Sequence, residues 1–578
     1  MSDLNTAELR DRAIAAARGD APFDLLITGA RVADVLLHEL RPADIGIIGP
    51  MIASVHAPGT RSDAARVLDA SGLIAAPGLI DTHMHVESSM ITPETYAAHV
   101  APRGVTTMVW DPHEFANVAG VEGLDYAADA AANACARLLP LVPSCVPSAP
   151  GYETAGADFD GEVIAALLAR GDMHGLAEVM DMGAVISRAP RMRGILSAAL
   201  ESGKPLCGHA RGLSGAELQA FVTAGIGSDH ELTSAGDLME KLRAGLWIEL
   251  RGSHDHLLPE IAQALAALPQ LPPTLTLCTD DTFPDDLLSA GGLDDMLRRM
   301  IGYGLPPLWA LQAATYNAAA KLGRTDLGLI APGRRADIVL TKALEDFRAS
   351  TVLVDGAPLR EAAPLPIPAR LRGSMALPPV TPDSFEIAAP GPQARLASID
   401  RPRFTQWGEI DAQVADGRVL LPKGATRIAV LHRHGRVPVV PRVGLLTGWG
   451  DWRGAFATTV SHDSHNLTVF GADPADMAAA ANALIACGGG MAVATQGKVS
   501  ALLPLPVAGL VSEAPLPEVA EALEQLRRAM DEVVDWQPPY LVFKALVGAT
   551  LACNKGPHQT DLGIADPQAG RLLTTPLL

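Results

Sequence analysis

"GLIDTHMHVESSM", Gly78 to Met90, sets His83 and His85 one residue apart at the end of an apolar run and follows them with Glu87 and two serines. Side chains at i and i+2 of a strand point to the same face, so the two imidazoles aim together. Taken alone, such a pair is a modest signal for metal and reads more readily as two polar residues closing a strand. The surrounding sequence has to decide.

From Leu79 onward, short apolar runs alternate with segments of helical period, the pattern of strand-helix-strand units around a parallel sheet. The run before His83 is the first. "TTMVW", "LLPLVPSCV", "HGLAEVMD", "KPLCGHARG", "GIGSDHE", "GLWIELRG" and "LTLCTDD" follow, which brings the strands to eight. "ITPETYAAHV" shows how the helices open, with Thr92 at the N-cap, Pro93 in the first helical position and Glu94 in the first turn. Eight such units fit a (β/α)8 barrel of about 250 residues, expected over 77–322.

Outside the barrel the texture changes. After an N-terminal helix, "FDLLITGARVAD" and "ADIGIIGPMIASV" are short β segments with glycine turns, and "DLGLIAPGRRADIVL" and "FRASTVLVDGAPL" return to the same character. This predicts a small β-sandwich domain built from segments flanking the barrel, 1–76 and 323–375. The Pro-rich stretch 361–384 then marks a boundary. A C-terminal α+β domain over 385–578 follows, in which Val519, Leu523, Leu526, Met530 and Val533 form one apolar helix face. The fold class expected is therefore α/β.

Composition excludes several functions. With 45 basic against 65 acidic residues the formal charge is −20, which repels both a nucleic-acid backbone and an anionic membrane. "VSALLPLPVAGLV", the most apolar late stretch, is short and broken by Pro504 and Pro506, so no membrane span is expected. The six cysteines are scattered without a C-x-x-C pair, which argues against a disulfide framework and for a cytoplasmic protein.

Within the barrel, Glu178, His209, His230 and Asp280 each stand where a predicted strand ends, so they face the same mouth as His83 and His85. Four imidazoles and two carboxylates converging there would be a costly buried polar cluster unless cations bound them. Two divalent transition metal ions answer that need. Nitrogen and oxygen donors without a thiolate suit manganese, iron(II) or zinc, and the donor set does not choose among them. Such a pair activates water for hydrolytic attack on a trigonal carbon.

The motifs "PGLIDTHMHVESSM", "RGVTTMVWDPHEFANVAG", "GLAEVM", "GHARGLSG", "GIGSDHE", "CTDDTFPDDL" and "SHDSHNLTVFG" resemble the adenine deaminases of the amidohydrolase superfamily, over nearly the whole chain. The resemblance implies that His83, His85 and Asp280 hold one metal, that His209 and His230 hold the other, and that Glu178 bridges them. Many relatives use a carboxylated lysine as the bridge, but "HGLAEVMD" contains none. Of the pair Asp280 and Asp281, the first lies nearer the strand and is the expected ligand.

The implied reaction is hydrolytic deamination of adenine to hypoxanthine and ammonia, a step of purine salvage, by a metal-bridged hydroxide attacking C6. Asp280 takes the hydroxide proton and passes it to the departing amine. Glu87, Asp111, His113 and Glu114 are the candidates for contacting the purine, and Glu231 is expected to orient His230. The histidines of "HRH" (His432, His434) and "HDSH" (His462, His465) lie outside the barrel, where a further metal site, a lid over the pocket and ordinary loop positions are the readings open. The segment Leu551–Asp566 departs from the family pattern. That leaves open another aminopurine deaminase, or a cyclic amide or imide hydrolase of the same superfamily. A homo-oligomer is expected by analogy with the superfamily.

Overall fold

A computed structural model describes residues 3–362, 364–402, 404–536, 546 and 548–578. The helix Ala7–Arg18 comes first and buries Leu9, Ala13 and Ala16. Strands β1 (Leu25–Asp34), β2 (Glu39–Ile48), β3 (Met51–His56), β4 (Val67–Asp69) and β5 (Ile74–Pro77) form the opening sheet.

The eight apolar runs each contain a strand: β6 (Leu79–Met84), β7 (Val105–Trp110), β8 (Arg137–Pro140), β9 (Leu176–Val179), β10 (Leu206–Gly208), β11 (Ser228–Asp229), β12 (Trp247–Arg251) and β13 (Leu275–Cys278). They are joined in parallel and in sequence order. β6 pairs β7 and β7 pairs β8, a parallel bridge from Val142 to Leu176 leads to β9, and β9 pairs β10. The Gly227 amide, just before β11, donates to the Leu206 carbonyl at 3.0 Å, and β11, β12 and β13 pair in turn. Finally the Asp280 amide donates to His83 at 3.0 Å, across a parallel bridge between Met84 and Asp280, so the order returns to its start.

Beyond the last helical stretch, β14 (Ile338–Thr341), β15 (Ala349–Val354) and β16 (Ala357–Pro358) rejoin the opening strands. β14 pairs β5 antiparallel, giving the order β16-β15-β14-β5-β1-β2-β3 with β4 beside β1. Where two facing sheets were expected, the pairing is one continuous sheet. β1 is long enough to pair β2 along one edge and both β4 and β5 along the other, and Ile27, Val32, Ile45, Ile338 and Leu353 share a single core.

The C-terminal region builds a nine-stranded sheet between Gln393 and Pro504. Strand alternation gives its two faces different partners. Ala455 and Ala457 share a core with the helix Pro474–Cys487, whereas Phe456 shares one with the helix Leu516–Val533. The predicted stripe of that second helix, Val519 to Val533, is buried at every position, and the helix also lies against Pro284–Ser289. No helix among the described residues is long and apolar enough to cross a membrane.

Candidate metal centre

Strand ends deliver the expected side chains to one place. His83 closes β6 and His85 stands just beyond it; Glu178 lies in β9, and His209, His230 and Asp280 follow β10, β11 and β13. All are 5% exposed or less. His83 and His230 stack with ring centroids 4.1 Å apart.

Glu178 divides its oxygens between two groups. Oε1 lies 3.6 Å from His85 Nε2 and 3.9 Å from His83 Nε2, while Oε2 lies 2.6 Å from His209 Nδ1 and 3.3 Å from His230 Nε2. Asp280 Oδ1 is 3.2 Å from His85 Nε2 and 3.6 Å from His83 Nε2. Donor atoms of His83, His230 and Asp280, and of Glu178, His209 and His230, fall within 4.8 Å of one another. Asp281 accepts from Ser88 Oγ at 2.5 Å, while one of its oxygens stays within 4.8 Å of donor atoms on His85 and Asp280.

This donor set fits divalent cations. The buried His83 Nε2, His209 Nε2 and His230 Nδ1 have no hydrogen-bond partner, and no thiolate lies among the donors. His85 Nδ1 donates to the Asp111 carbonyl at 3.1 Å, which turns the Nε2 lone pair toward Glu178 and Asp280. Burial opposes charge on Glu178, yet His230 and His209 outweigh it and hold the carboxyl well below its ordinary range. Burial likewise opposes charge on Asp280, but Arg251, His83 and His85 keep it ionised. Backbone placement is fixed from behind. Asp229 Oδ1 accepts from the amides of Ala210 and Glu231, one residue beyond His209 and His230, and the buried Lys241 ammonium lies 2.8 Å from its other oxygen.

The remaining candidates separate into two kinds. Asp111, His113 and Glu114 are buried and neither polar side-chain atom of each has a hydrogen-bond partner, their nearest charged neighbours being one another and the site: His113 Nδ1 lies 3.3 Å from Asp111 and 3.7 Å from Glu178. Glu87 instead accepts from Trp110 Nε1 at 2.9 Å and from the Phe115 amide at 3.4 Å, so both oxygens face protein donors. Glu231 does not hold His230: its carboxylate pairs with Arg211 at 2.6 Å and with Arg251. The guanidinia are stronger partners for a buried carboxylate than an imidazole is.

Two participants escaped the sequence reading. Arg251 ends β12, the strand on which no metal ligand stands, and its Nε lies 2.6 Å from Asp280 Oδ2. Its position at a strand end was the available signal. Asp463, from the C-terminal region, brings Oδ1 to 3.9 Å from His113 Nε2. Beside it, His462 sits 6.1 Å from the His113 ring. His434 lies behind that loop, its Nε2 2.7 Å from the Ser464 carbonyl, and His432 Nε2 accepts from the Arg436 amide at 3.1 Å.

Comparison with known proteins identifies the family. Residues 74–359 match the amidohydrolase family, and residues 402–571 match the adenine deaminase C-terminal domain. The chain is 62% identical to adenine deaminase 2 of Rhizobium meliloti (strain 1021), over 100% of this chain and 98% of that one. It is 61% identical to adenine deaminase 2 of Agrobacterium fabrum, with the same coverage. Against adenine deaminase of Klebsiella pneumoniae (strain 342) the identity is 51%, over 99% of this chain and 97% of that one. With both halves matched and such identity along its whole length, the chain belongs to the adenine deaminase family of amidohydrolases.

Proposed function

We propose that this chain hydrolyses adenine to hypoxanthine and ammonia. The observation that supports this most directly is the division of Glu178, with one oxygen toward His83 and His85 and the other toward His209 and His230. In this reading His83, His85 and Asp280 would hold one divalent cation, His209 and His230 a second, and Glu178 would touch both. Manganese, iron(II) and zinc all suit those donors. Bound there, such cations supply the Lewis acidity that makes water nucleophilic near neutral pH.

The chain's own residues then handle the proton and the ring. Asp280, kept ionised by Arg251, accepts the proton of the attacking water at Oδ1 and returns it to the leaving amine. Asp111, His113 and Glu114 contribute unpaired donors and acceptors to the purine edge. Glu87 holds Trp110 and the start of the following helix rather than the base.

The scaffold belongs to the same proposal. We read the ring of eight parallel strands as a (β/α)8 barrel over 77–322, with 1–76 and 323–375 forming the small β domain and 385–578 the C-terminal one. A cytoplasmic homo-oligomer acting on a free purine completes it. Incubating metal-replete protein with adenine should release one ammonia per adenine consumed and yield hypoxanthine by mass. An unchanged ultraviolet spectrum would refute the assignment.

A further inference from the structure

The loop Ser461–His465 comes from the C-terminal region, yet it lies against the barrel residues of the site. Donor atoms of His462, His113 and Glu114 fall within 4.8 Å of one another, and Asp463 Oδ1 lies 3.9 Å from His113 Nε2. Asp463 is fully buried, whereas the His462 side chain is 16% exposed. His462 is therefore the more solvent-facing of the two, with Asp463 behind it.

The loop is held from several sides. Thr550 Oγ1 donates to the His462 carbonyl at 2.9 Å. His434 meets the Ser464 carbonyl, and Arg433 Nε donates to the His465 carbonyl at 2.5 Å. Arg433 is itself fully buried, and its other nitrogens donate to Ser374 and to the Ala508 carbonyl. Asn466 ties the end of the loop to the Thr154 carbonyl at 2.9 Å. Backbone groups fixed in this way give a preformed wall, which is what precise ligand recognition needs.

The loop and the barrel residues facing it together offer mostly acceptors. Asp463 Oδ1 is buried without a hydrogen-bond partner, and so are both oxygens of Asp111 and of Glu114. Buried acceptors left unpaired are costly, so an occupant bearing N–H donors is favoured. Adenine as a free base carries a ring N–H on its five-membered ring as well as the exocyclic amine. An N9-substituted purine, such as a nucleoside, has lost that ring donor and adds bulk at the same position.

We propose that the Ser461–His465 loop is the outer wall of the substrate pocket, that Asp463 selects the free base by accepting its ring N–H, and that His462 beside it fills the space an N9 substituent would need. The proposal rests on adenine being the substrate, and it makes the two residues specificity determinants rather than catalytic ones. The metal ligands stay within the barrel.

The test uses full-length, metal-replete protein and the variants His462→Asn and Asp463→Asn. Calorimetric binding of adenine and of 9-methyladenine is compared with steady-state kinetics, metal content and the melting transition. In the wild type, adenine should bind at least about tenfold more tightly than 9-methyladenine, and either variant should cut that preference to about threefold or less, Asp463→Asn by losing one charge-assisted hydrogen bond and His462→Asn by opening room at the substituent's position. KM for adenine should rise by about tenfold in Asp463→Asn with kcat little changed, because a contact made equally in ground and transition states is lost. Because Asp463 is buried, the partly exposed His462→Asn decides if Asp463→Asn fails to fold. An unchanged preference in His462→Asn overturns the proposal, as does loss of a metal equivalent, which would make the group a third cation site. Adenine binding without ammonia release would refute the reaction and leave the wall to be judged by the binding comparison alone.

Discussion

Asp280 has two oxygens with different neighbours. Oδ1 faces His83 and His85, while Oδ2 meets Arg251 Nε at 2.6 Å and Ser253 Oγ at 3.2 Å. Its backbone is in the left-handed region at φ 59°, unusual for an aspartate and sustained by the hydrogen bond its amide donates to the His83 carbonyl. Arg251 therefore fixes the plane of the carboxylate proposed to move the proton. Replacing it in Arg251→Met should lower kcat by about 10- to 100-fold, the usual effect of removing a partner of a metal ligand. Steady-state kinetics with metal content measured alongside would check this; an unchanged kcat would leave Arg251 a purely structural ion pair. Glu153 gives a second residue-level expectation. Burial raises its pKa from 4.5 to about 8, with Asp463 adding to the rise and Ser148 and the Ala149 amide opposing it. The folded protein then keeps a proton that the unfolded chain releases between those values, so stability falls as pH rises through that window and levels above it. Glu153→Gln should remove that part of the decline when melting temperatures at about pH 5 and about pH 8 are compared. An equal slope in the variant would exclude Glu153 as its source.

At the scale of elements, β6 is closely packed on both sides. All six of its residues are buried, and a Cβ added at Gly78, just before it, would sit 2.2 Å from Thr106 Oγ1 and 2.9 Å from Thr106 Cβ on the neighbouring β7. Gly78→Ala must therefore push β6 and β7 apart where β6 begins, at the far end of the strand from His83 and His85. A loss of about 1–3 kcal/mol is expected from such overpacking, read as a lower denaturant midpoint, with part recovered in Gly78→Ala/Thr106→Ser, where the hydroxyl can turn away. No shift in midpoint would mean that the strands relax at no cost. Alternation and strand ends are also what made so much of this region legible. His83 and His85 share a face because they are two apart, and Glu178, His209, His230 and Asp280 could be found because each follows an apolar run. Arg251 obeys the same rule but was passed over, since a guanidinium ligates no metal. Asp463 obeys no such rule: its place beside His113 depends on how a distant sheet docks, and nothing local in "SHDSHN" encodes that. The single continuous sheet formed by β1 to β5 and β14 to β16 was hidden for the same reason, because pairing between segments on either side of the eight parallel strands leaves no mark on either one.

At the scale of the whole molecule, side chains from five different strands meet at one centre, so the centre and the ring of strands depend on each other. Without cations, Glu178 and Asp280 are balanced only by neighbouring imidazoles and Arg251, and His83 Nε2, His209 Nε2 and His230 Nδ1 are buried without partners. The unfolded chain holds none of this arrangement, so cations bind the folded state in preference and stabilise it by mass action, about 2.7 kcal/mol when free metal is a hundredfold above its dissociation constant. Dialysis against a chelator should abolish deamination and lower the melting transition. Adding back manganese, iron(II) or zinc should restore the transition in each case, because the donors suit all three, while the rate recovered differs among them, because the Lewis acidity of each ion differs. Glu178→Gln separates this effect from general destabilisation. It keeps the side chain's size but weakens the group that faces both sets of histidines, so the metal-dependent rise in melting temperature should shrink while the chelated variant melts close to the chelated wild type. A chelated wild type that melts with the metal-replete protein would show that the fold does not feel the centre, and the convergence of strand ends would then need another cause.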